Sequence, residues 1–325
     1  MRIFSAADVD AALSPRAMID AIGEVFAGRL VAPQRHHHEI HRDGADAALL
    51  LMPAWTEKGA KPSFMGVKIV SVFPENAKRS IASVQGSYIL NDGETGAPLA
   101  IIDGTRLTLH RTAAASAYAA QHLARRDARM MAMVGAGALS APLIRAHCTA
   151  RPSLRHVYLW NRNPHRAVEV AAELDRDPLL ANVTIDAGAD LEGAVREADV
   201  ISCATMAKEP IVRGVWLKPG AHLDLVGAYN LAMREADDEA LHRASVFIDT
   251  PAATVEGGDV AVAIKAGAYA KERVSGDLAA LAGGIHKGRA HDEEITLFKS
   301  VGASIEDLAA AMLVWRSAEA GARAT

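Results

Sequence analysis

Cysteine is nearly missing from this chain: there are two in 325 residues, Cys148 and Cys203, with no metal-ligand spacing between them. That excludes a disulfide-stapled scaffold and a cysteine zinc module, and it fits a protein kept in a reducing cytoplasm. Long apolar runs are missing too. The longest nearly uncharged stretch, "MMAMVGAGALSAPLI" (130–144), is interrupted by glycines and a proline and is too short to span a bilayer. The start, "MRIFSAADVD", meets charge at once and has no apolar signal segment, so neither a signal peptide nor a membrane partner is expected. Strong charge of one sign is also lacking. A formal net charge of −4 argues against a broad nucleic-acid footprint.

Apolar residues, by contrast, make up 50% of the chain, ample for packed cores. At about 100–200 residues per domain, this length predicts two domains. Residues 5–28 begin with a serine suited to capping and carry helical apolar spacing, which predicts two short helices. From about 48 to 103, short apolar or alternating runs broken by Pro, Gly and Asn-Asp predict a largely antiparallel set of strands, with a hairpin turn at "NDGETGAP". An alanine-rich helix follows over 111–126. Strands then alternate with helices: "MMAMVGA", "HVYLWNR", "VTIDA", "DVISCAT", "HLDLVGA" and "SVFIDT". That alternation is the mark of a doubly wound parallel sheet. After about 276, "SGDLAALAGGIHKGR" and "SIEDLAAAMLVWRSAEAG" read as helical again. The expected fold class is α/β: a smaller α/β domain over 1–112, a Rossmann-type domain over 113–300, and a last segment, 301–325, folding back onto the first domain.

"MAMVGAGALSAPLIRA" holds the motif with the clearest chemistry. Gly135, Gly137 and Ser140 form a G-x-G-x-x-small turn, with Ala138 and Leu139 inside it, between a predicted strand and a predicted helix. Glycine permits the tight turn and lets backbone N–H groups approach a pyrophosphate, and the helix N-terminus favours the anion. The next strand ends in "LWNRNPHRA". Dinucleotide enzymes that use NAD place an acid there, bonded to the ribose. Here the positions are Asn161 and Arg162, with Arg166 a turn further on. An arginine attracts the 2′-phosphate that an acid would repel, so the expected cofactor is NADPH, with NADH as the other option.

Three cations precede this domain. Lys68 lies inside the strand "GVKIVSVFPEN" and points opposite to Val67 and Ile69. It is either a lysine on a solvent face or one in a cleft whose burial lowers its pKa toward usefulness. Arg111 stands where the first domain hands over to the next, and Arg35 follows a Pro-containing turn in "VAPQRHHHEIHR". Such a set suits a small anionic substrate, because guanidinium forks match carboxylates. The run "HHHEIH" fails the H-E-x-x-H spacing of a zinc helix and is read as a polar strand or loop, so no metal site is expected.

Taken together, "GVKIVSVFPEN", "SVQGSYILND…TGAPLAIIDG", "LTLHRTAAASAYAA", "MVGAGALSA", "VGAYNLAMREADDE" and "FKSVGASIEDL" resemble the ornithine cyclodeaminase/mu-crystallin family over nearly the whole chain. The resemblance implies a homodimer built through the first, substrate-binding domain, and a nicotinamide cofactor. It implies that Arg35, Lys68 and Arg111 hold the substrate carboxylate. It also implies that Ser83, where the family commonly has threonine, lies near the cofactor phosphates, and that Thr205, Val226, Gly227 and Ser300 surround the cofactor.

One position departs from the cyclodeaminase pattern. Those enzymes carry an aspartate in "VGxD", and this chain has Tyr229 in its place, followed by Asn230. A phenol ordinarily ionises near pH ~10 and is a poor base at neutrality. What remains is similar to the ketimine reductase branch, including the Δ1-pyrroline-2-carboxylate reductases. The resemblance therefore implies NAD(P)H-dependent reduction of a cyclic imino acid to L-proline, or of its six-membered homologue to L-pipecolate, in the breakdown of trans-3-hydroxy-L-proline. The competing expectations are a true cyclodeaminase, an alanine dehydrogenase, and a non-enzymatic NADPH-dependent small-ligand binding protein.

Overall fold

The computed structural model describes residues 1–28, 30–79 and 81–324. The chain divides into two compact units, Met1–Arg111 with the C-terminal segment from Ala303 onward, and Thr112–Gly302.

The first unit runs β1 (Arg2–Phe4), α1 (Ala6–Ala12), α2 (Pro15–Ala27), β2 (Leu30–Val31), β3 (His36–Ile40), β4 (Ala47–Thr56), β5 (Phe64–Val72), β6 (Val84–Asp92) and β7 (Pro98–Asp103), then enters α3 (Gly104–Leu123). Ser5 caps the first helix through its side chain, as the sequence predicts, and Ser14 caps the second in the same way. The seven strands form one sheet in the order β1-β7-β6-β5-β4-β2, with β3 also paired to β4. Pairing is antiparallel except between β1 and β7. The "NDGETGAP" turn joins β6 to β7, and Asp92 Oδ1 holds it by accepting from the backbone of Glu94 and Thr95. The "HHHEIH" run is extended, as β3.

The second unit comprises β8 (Met130–Val134), α4 (Ser140–Ala150), β9 (His156–Trp160), α5 (Pro164–Leu174), β10 (Thr184–Gly188), α6 (Leu191–Glu197), β11 (Val200–Cys203), β12 (His222–Leu225), α7 (Asp238–Arg243), β13 (Ser245–Ile248), α8 (Gly258–Lys265), β14 (Val274–Asp277), α9 (Leu278–Ala282) and β15 (Thr296–Lys299). Its eight strands are all parallel, in the order β10-β9-β8-β11-β12-β15-β13-β14. This is the doubly wound α/β sheet expected from the sequence. The order reverses between β8 and β11, and such switch points open a crevice at the strands' carboxyl ends.

The helix expected over "SIEDLAAAMLVWRSAEAG" is present, but the one over "SGDLAALAGGIHKGR" needs correction. Only Leu278–Ala282 is helical there before residue 296; β14 precedes it, and β15 inserts between β12 and β13. All four residues of β15 are buried, so the strand has no polar alternation to reveal it.

The last helix, α10 (Ser304–Ala324), belongs to the first unit and packs on β4, β5 and β6 of its sheet. Nearly every residue from Val301 to Ala311 is buried, including two acids, Glu306 and Asp307. Among the described residues no helix is long and apolar enough to cross a membrane.

Candidate active site

In the first unit, the pleat of β5 decides where Lys68 goes. Lys68 and Phe64 share a face, and that face is covered by α10. Lys68 is opposite Met52 on β4 and Tyr88 on β6, and it is 1% exposed. The solvent-face option for this lysine is therefore excluded. Its ammonium donates to Asp307 Oδ1 at 2.8 Å and to Thr108 Oγ1 on α3 at 3.2 Å. Burial, and next the Arg111 charge, pull its pKa down to about 8, while Asp307 and Glu306 oppose the shift.

Arg111 reaches the same place from α3. It donates through Nη1 to Glu306 at 2.7 Å, and its Nε is 3.0 Å from Asp307 Oδ1. Both acids sit in the first turn of α10, where the helix dipole favours negative charge. Two cations thus meet two carboxylates in a buried, charge-balanced cluster. Removing one partner from such a cluster leaves an uncompensated charge, typically worth about 3–5 kcal/mol. Among the described residues the Tyr88 hydroxyl, buried beside this cluster, has no hydrogen-bond partner, and burial and the Asp307 charge keep it protonated well above its ordinary range. Arg35 is half-buried and immediately precedes β3. Ser83 is half-buried just before β6, its carbonyl accepting from Phe73 N at 2.7 Å.

Asp307, Glu306, Thr108 and Tyr88 were not anticipated. The one sequence signal is the pair Glu306-Asp307 at the head of an otherwise apolar helix, where acids have to be buried and therefore partnered.

In the second unit, Gly135 leaves β8 with φ of +112°, and a Cβ there would lie 2.6 Å from the Ala204 carbonyl oxygen. Only glycine suits this turn. Gly137 faces open space, with nothing within 4 Å of a Cβ position. Ser140 opens α4 and donates to the Gly137 carbonyl at 2.7 Å, and no side chain caps the helix at Leu139. Ser140 N is bonded to the Gly137 carbonyl and residue 142 is a proline, so among the described residues the donors open to an anion are those of the turn itself and of Ala141. Ala138 and Leu139 complete the turn.

A cavity of about 260 Å³ opens there, lined by Gly135, Ala136, Gly137, Trp160, Asn161, Arg162 and the segment after β11 that includes Thr205. Asn161 Oδ1 accepts from Ala136 N at 3.3 Å, tying the glycine turn to the end of β9. Arg162 is exposed at the rim. Arg166 lies on the surface of α5, paired with Glu169 at 2.9 Å, and does not line the cavity. Val226, Gly227 and Ser300 follow β12 and β15, with Val226 N bonded to Cys203 O and Ser300 N to Leu225 O. Tyr229 is 43% exposed on the loop after β12.

The uncapped helix end, the open Gly137 and the cavity at the strand switch point fit a dinucleotide's pyrophosphate. The second unit thus brings together the glycine turn, Asn161, Arg162 and Thr205, and the first unit brings together Lys68 and Arg111.

The profile of the Ornithine cyclodeaminase/mu-crystallin family matches residues 2–322. The protein SAR DEFICIENT 4 of Arabidopsis thaliana is 42% identical over 285 residues, covering 88% of this chain and 86% of that one. The Delta(1)-pyrroline-2-carboxylate reductase of Paracoccus denitrificans is 35% identical over 298 residues, 91% of this chain and 92% of its own. Among solved structures, Thermococcus litoralis Delta(1)-pyrroline-2-carboxylate reductase in complex with NADH and L-proline superposes with a TM-score of 0.92 at 32% identity, over 99% of this chain and 98% of that one.

Proposed function

This chain belongs to the ornithine cyclodeaminase/mu-crystallin family, and from that premise we propose that it is an NAD(P)H-dependent reductase of a cyclic ketimine carboxylate. The substrate we assign is Δ1-pyrroline-2-carboxylate, reduced to L-proline, with Δ1-piperideine-2-carboxylate as the six-membered counterpart and trans-3-hydroxy-L-proline breakdown as the pathway. The observation that carries the reading is the buried Lys68, held at 2.8 Å from Asp307 with a pKa drawn down to about 8. A protonated amine that releases its proton near neutrality is what imine reduction requires of the protein.

The residues take these parts. Arg35 and Arg111 hold the substrate carboxylate, Arg111 while it stays paired with Glu306 and Asp307, and this fixes the ring. An ammonium has three N–H donors, and Asp307 and Thr108 take two of those on Lys68. The third serves the imine nitrogen, whose protonation makes C2 electrophilic. When bound, the reduced nicotinamide supplies the hydride. Gly135, Gly137, Ala138 and Leu139 form the pyrophosphate turn; Ser83, Thr205, Val226, Gly227 and Ser300 complete the nucleotide site. Arg162 at the cavity rim favours NADPH over NADH. Tyr229, in the aspartate's place, removes the carboxylate that ornithine cyclisation calls for. The first unit is the substrate and dimerisation domain, the protein acting as a homodimer, and the second binds the cofactor.

The test is product identification. The protein, Δ1-pyrroline-2-carboxylate and NADPH are incubated together and proline is resolved by chiral chromatography. L-proline in proportion to cofactor consumed is expected; consumption without proline, or no consumption, overturns the assignment.

A further inference from the structure

One buried carboxylate ties together the loops that follow β11 and β12. Glu235 is fully buried. Its Oε1 accepts from Thr205 N at 2.7 Å and from Thr205 Oγ1 at 2.8 Å; its Oε2 accepts from Gly227 N at 2.7 Å and Ala228 N at 3.2 Å. Thr205 lines the nucleotide cavity. The packing here has no slack: a Cβ on Gly227 would lie 2.1 Å from the Thr205 carbonyl oxygen and 2.5 Å from Glu235 Oε1.

The clasp is itself anchored. Asp259 Oδ1 on α8 accepts from Glu235 N at 2.7 Å and Ala236 N at 3.0 Å. Asp259 Oδ2 lies 3.3 Å from Lys299 Nζ on β15, which also donates to Leu225 O at the end of β12. The loop carrying Tyr229 is thus pinned at Gly227-Ala228 on one side and at Glu235-Ala236 on the other.

We propose that Glu235 is a positioning residue for the nicotinamide nucleotide, its ionised carboxylate fixing Thr205 and Gly227 as the wall against which the nucleotide binds. This rests on reading the cavity as the nicotinamide site. All four contacts to the carboxylate are donors. The Thr205 hydroxyl can turn, but the three backbone N–H groups cannot, so a carboxylic acid or an amide leaves at least one donor without an acceptor. The charged or titratable groups facing Glu235 are Asp259 from α8, Lys299 from β15 and Cys203 from β11. Burial, and then the Asp259 charge, raise the Glu235 pKa to about 8, with Lys299 and the Thr205 donors acting against that. The Cys203 thiol is pushed well above its ordinary range by burial and stays uncharged. Protonating Glu235 would break this clasp, so nucleotide binding weakens as pH falls through the raised Glu235 pKa.

The test is equilibrium titration of NADPH and NADH into the full-length protein from about pH 6 to about pH 9.5, on wild type and Glu235→Gln, with kcat and the cofactor KM measured alongside. Expected for Glu235→Gln is a Kd raised about tenfold or more at the alkaline end, a flattened pH dependence, and kcat at saturating cofactor within about threefold of wild type. Equal Kd in both proteins at every pH, or the same pH slope in both, overturns the proposal. If Glu235→Gln does not fold, Thr205→Val keeps the backbone donor and removes the hydroxyl. It should raise Kd about threefold and move the pH midpoint upward, and no change in either overturns the proposal. Failure of the wild type to bind either nucleotide would instead sink the nucleotide reading itself.

Discussion

Lys68 and Arg111 share one carboxylate oxygen: Asp307 Oδ1 lies 2.8 Å from Lys68 Nζ and 3.0 Å from Arg111 Nε. The two cations come from β5 and α3, and the oxygen comes from the C-terminal helix α10. Arg111 is also bonded to Glu306, so the pair is neutralised before any substrate arrives. Burial and mutual repulsion pull the lysine toward deprotonation, and the two carboxylates limit the shift.

Lys68 is therefore expected to set the alkaline limb of the reaction. Its folded pKa of about 8 lies below the ordinary 10.5, so the ammonium form dominates below about pH 8 and is lost above it. The rate of imine reduction should fall about tenfold per pH unit beyond that point. Lys68→Ala should cut kcat/KM by a factor on the order of 10² or more, with the circular dichroism spectrum unchanged. Near-normal turnover would remove Lys68 from the mechanism.

Asp307→Asn should move that limb to lower pH, because the charge that raises the Lys68 pKa is gone. It should also reduce stability by about 3–5 kcal/mol in urea denaturation, since it leaves buried cations short of a partner. A variant as stable as wild type, with an unmoved pH–rate profile, would show that the shared oxygen is incidental.

These two residues also show what the sequence could convey. Lys68 stood out as a lone charge in an apolar strand, and its direction relative to Val67 and Ile69 followed from the pleat. Whether that face met water or protein did not, because Asp307, on the helix covering it, is 239 residues away in the chain. The strand–helix alternation and the glycine turn were legible because they are local patterns. β15 was not, since a short strand buried on both faces has no period to detect. Glu235 lies in a stretch that reads as an ordinary charged loop, "MREADDE", and only the folded chain brings it to Thr205 and Gly227.

Cofactor preference should depend on Arg162 and not on Arg166. Arg162 lines the cavity rim, whereas Arg166 is engaged with Glu169 on the surface of α5. Arg162→Ser should weaken NADPH about tenfold or more while changing NADH by less than about threefold, and Arg166→Ala should change either by less than about threefold. Competition titrations with both nucleotides would check this. An unchanged NADPH/NADH ratio in Arg162→Ser would contradict it.

Acid stability should report on His222. Burial lowers its pKa from 6.5 to about 3, so the ring is neutral in the fold and bonded through Nδ1 to Thr296 Oγ1 at 2.9 Å. As pH falls from 6.5 toward 3, the unfolded chain takes up a proton that the folded chain does not, and stability drops across that window. The contribution is on the order of 4 kcal/mol over the whole range. His222→Asn should be less stable than wild type near pH ~7 yet show a shallower loss between about pH 6.5 and about pH 4.5. Parallel curves from chemical denaturation would contradict the buried neutral histidine.

The central claim is reduction of a cyclic imine without release of ammonia, and one paired assay reaches it most directly. Oxidation of the reduced nicotinamide is followed by absorbance with Δ1-pyrroline-2-carboxylate, and ammonia release from L-ornithine is measured on the same preparation. Cofactor oxidation with no ammonia is the predicted result. Ammonia from ornithine would mean that another group replaces the aspartate absent at Tyr229, and the reductase account would be contradicted.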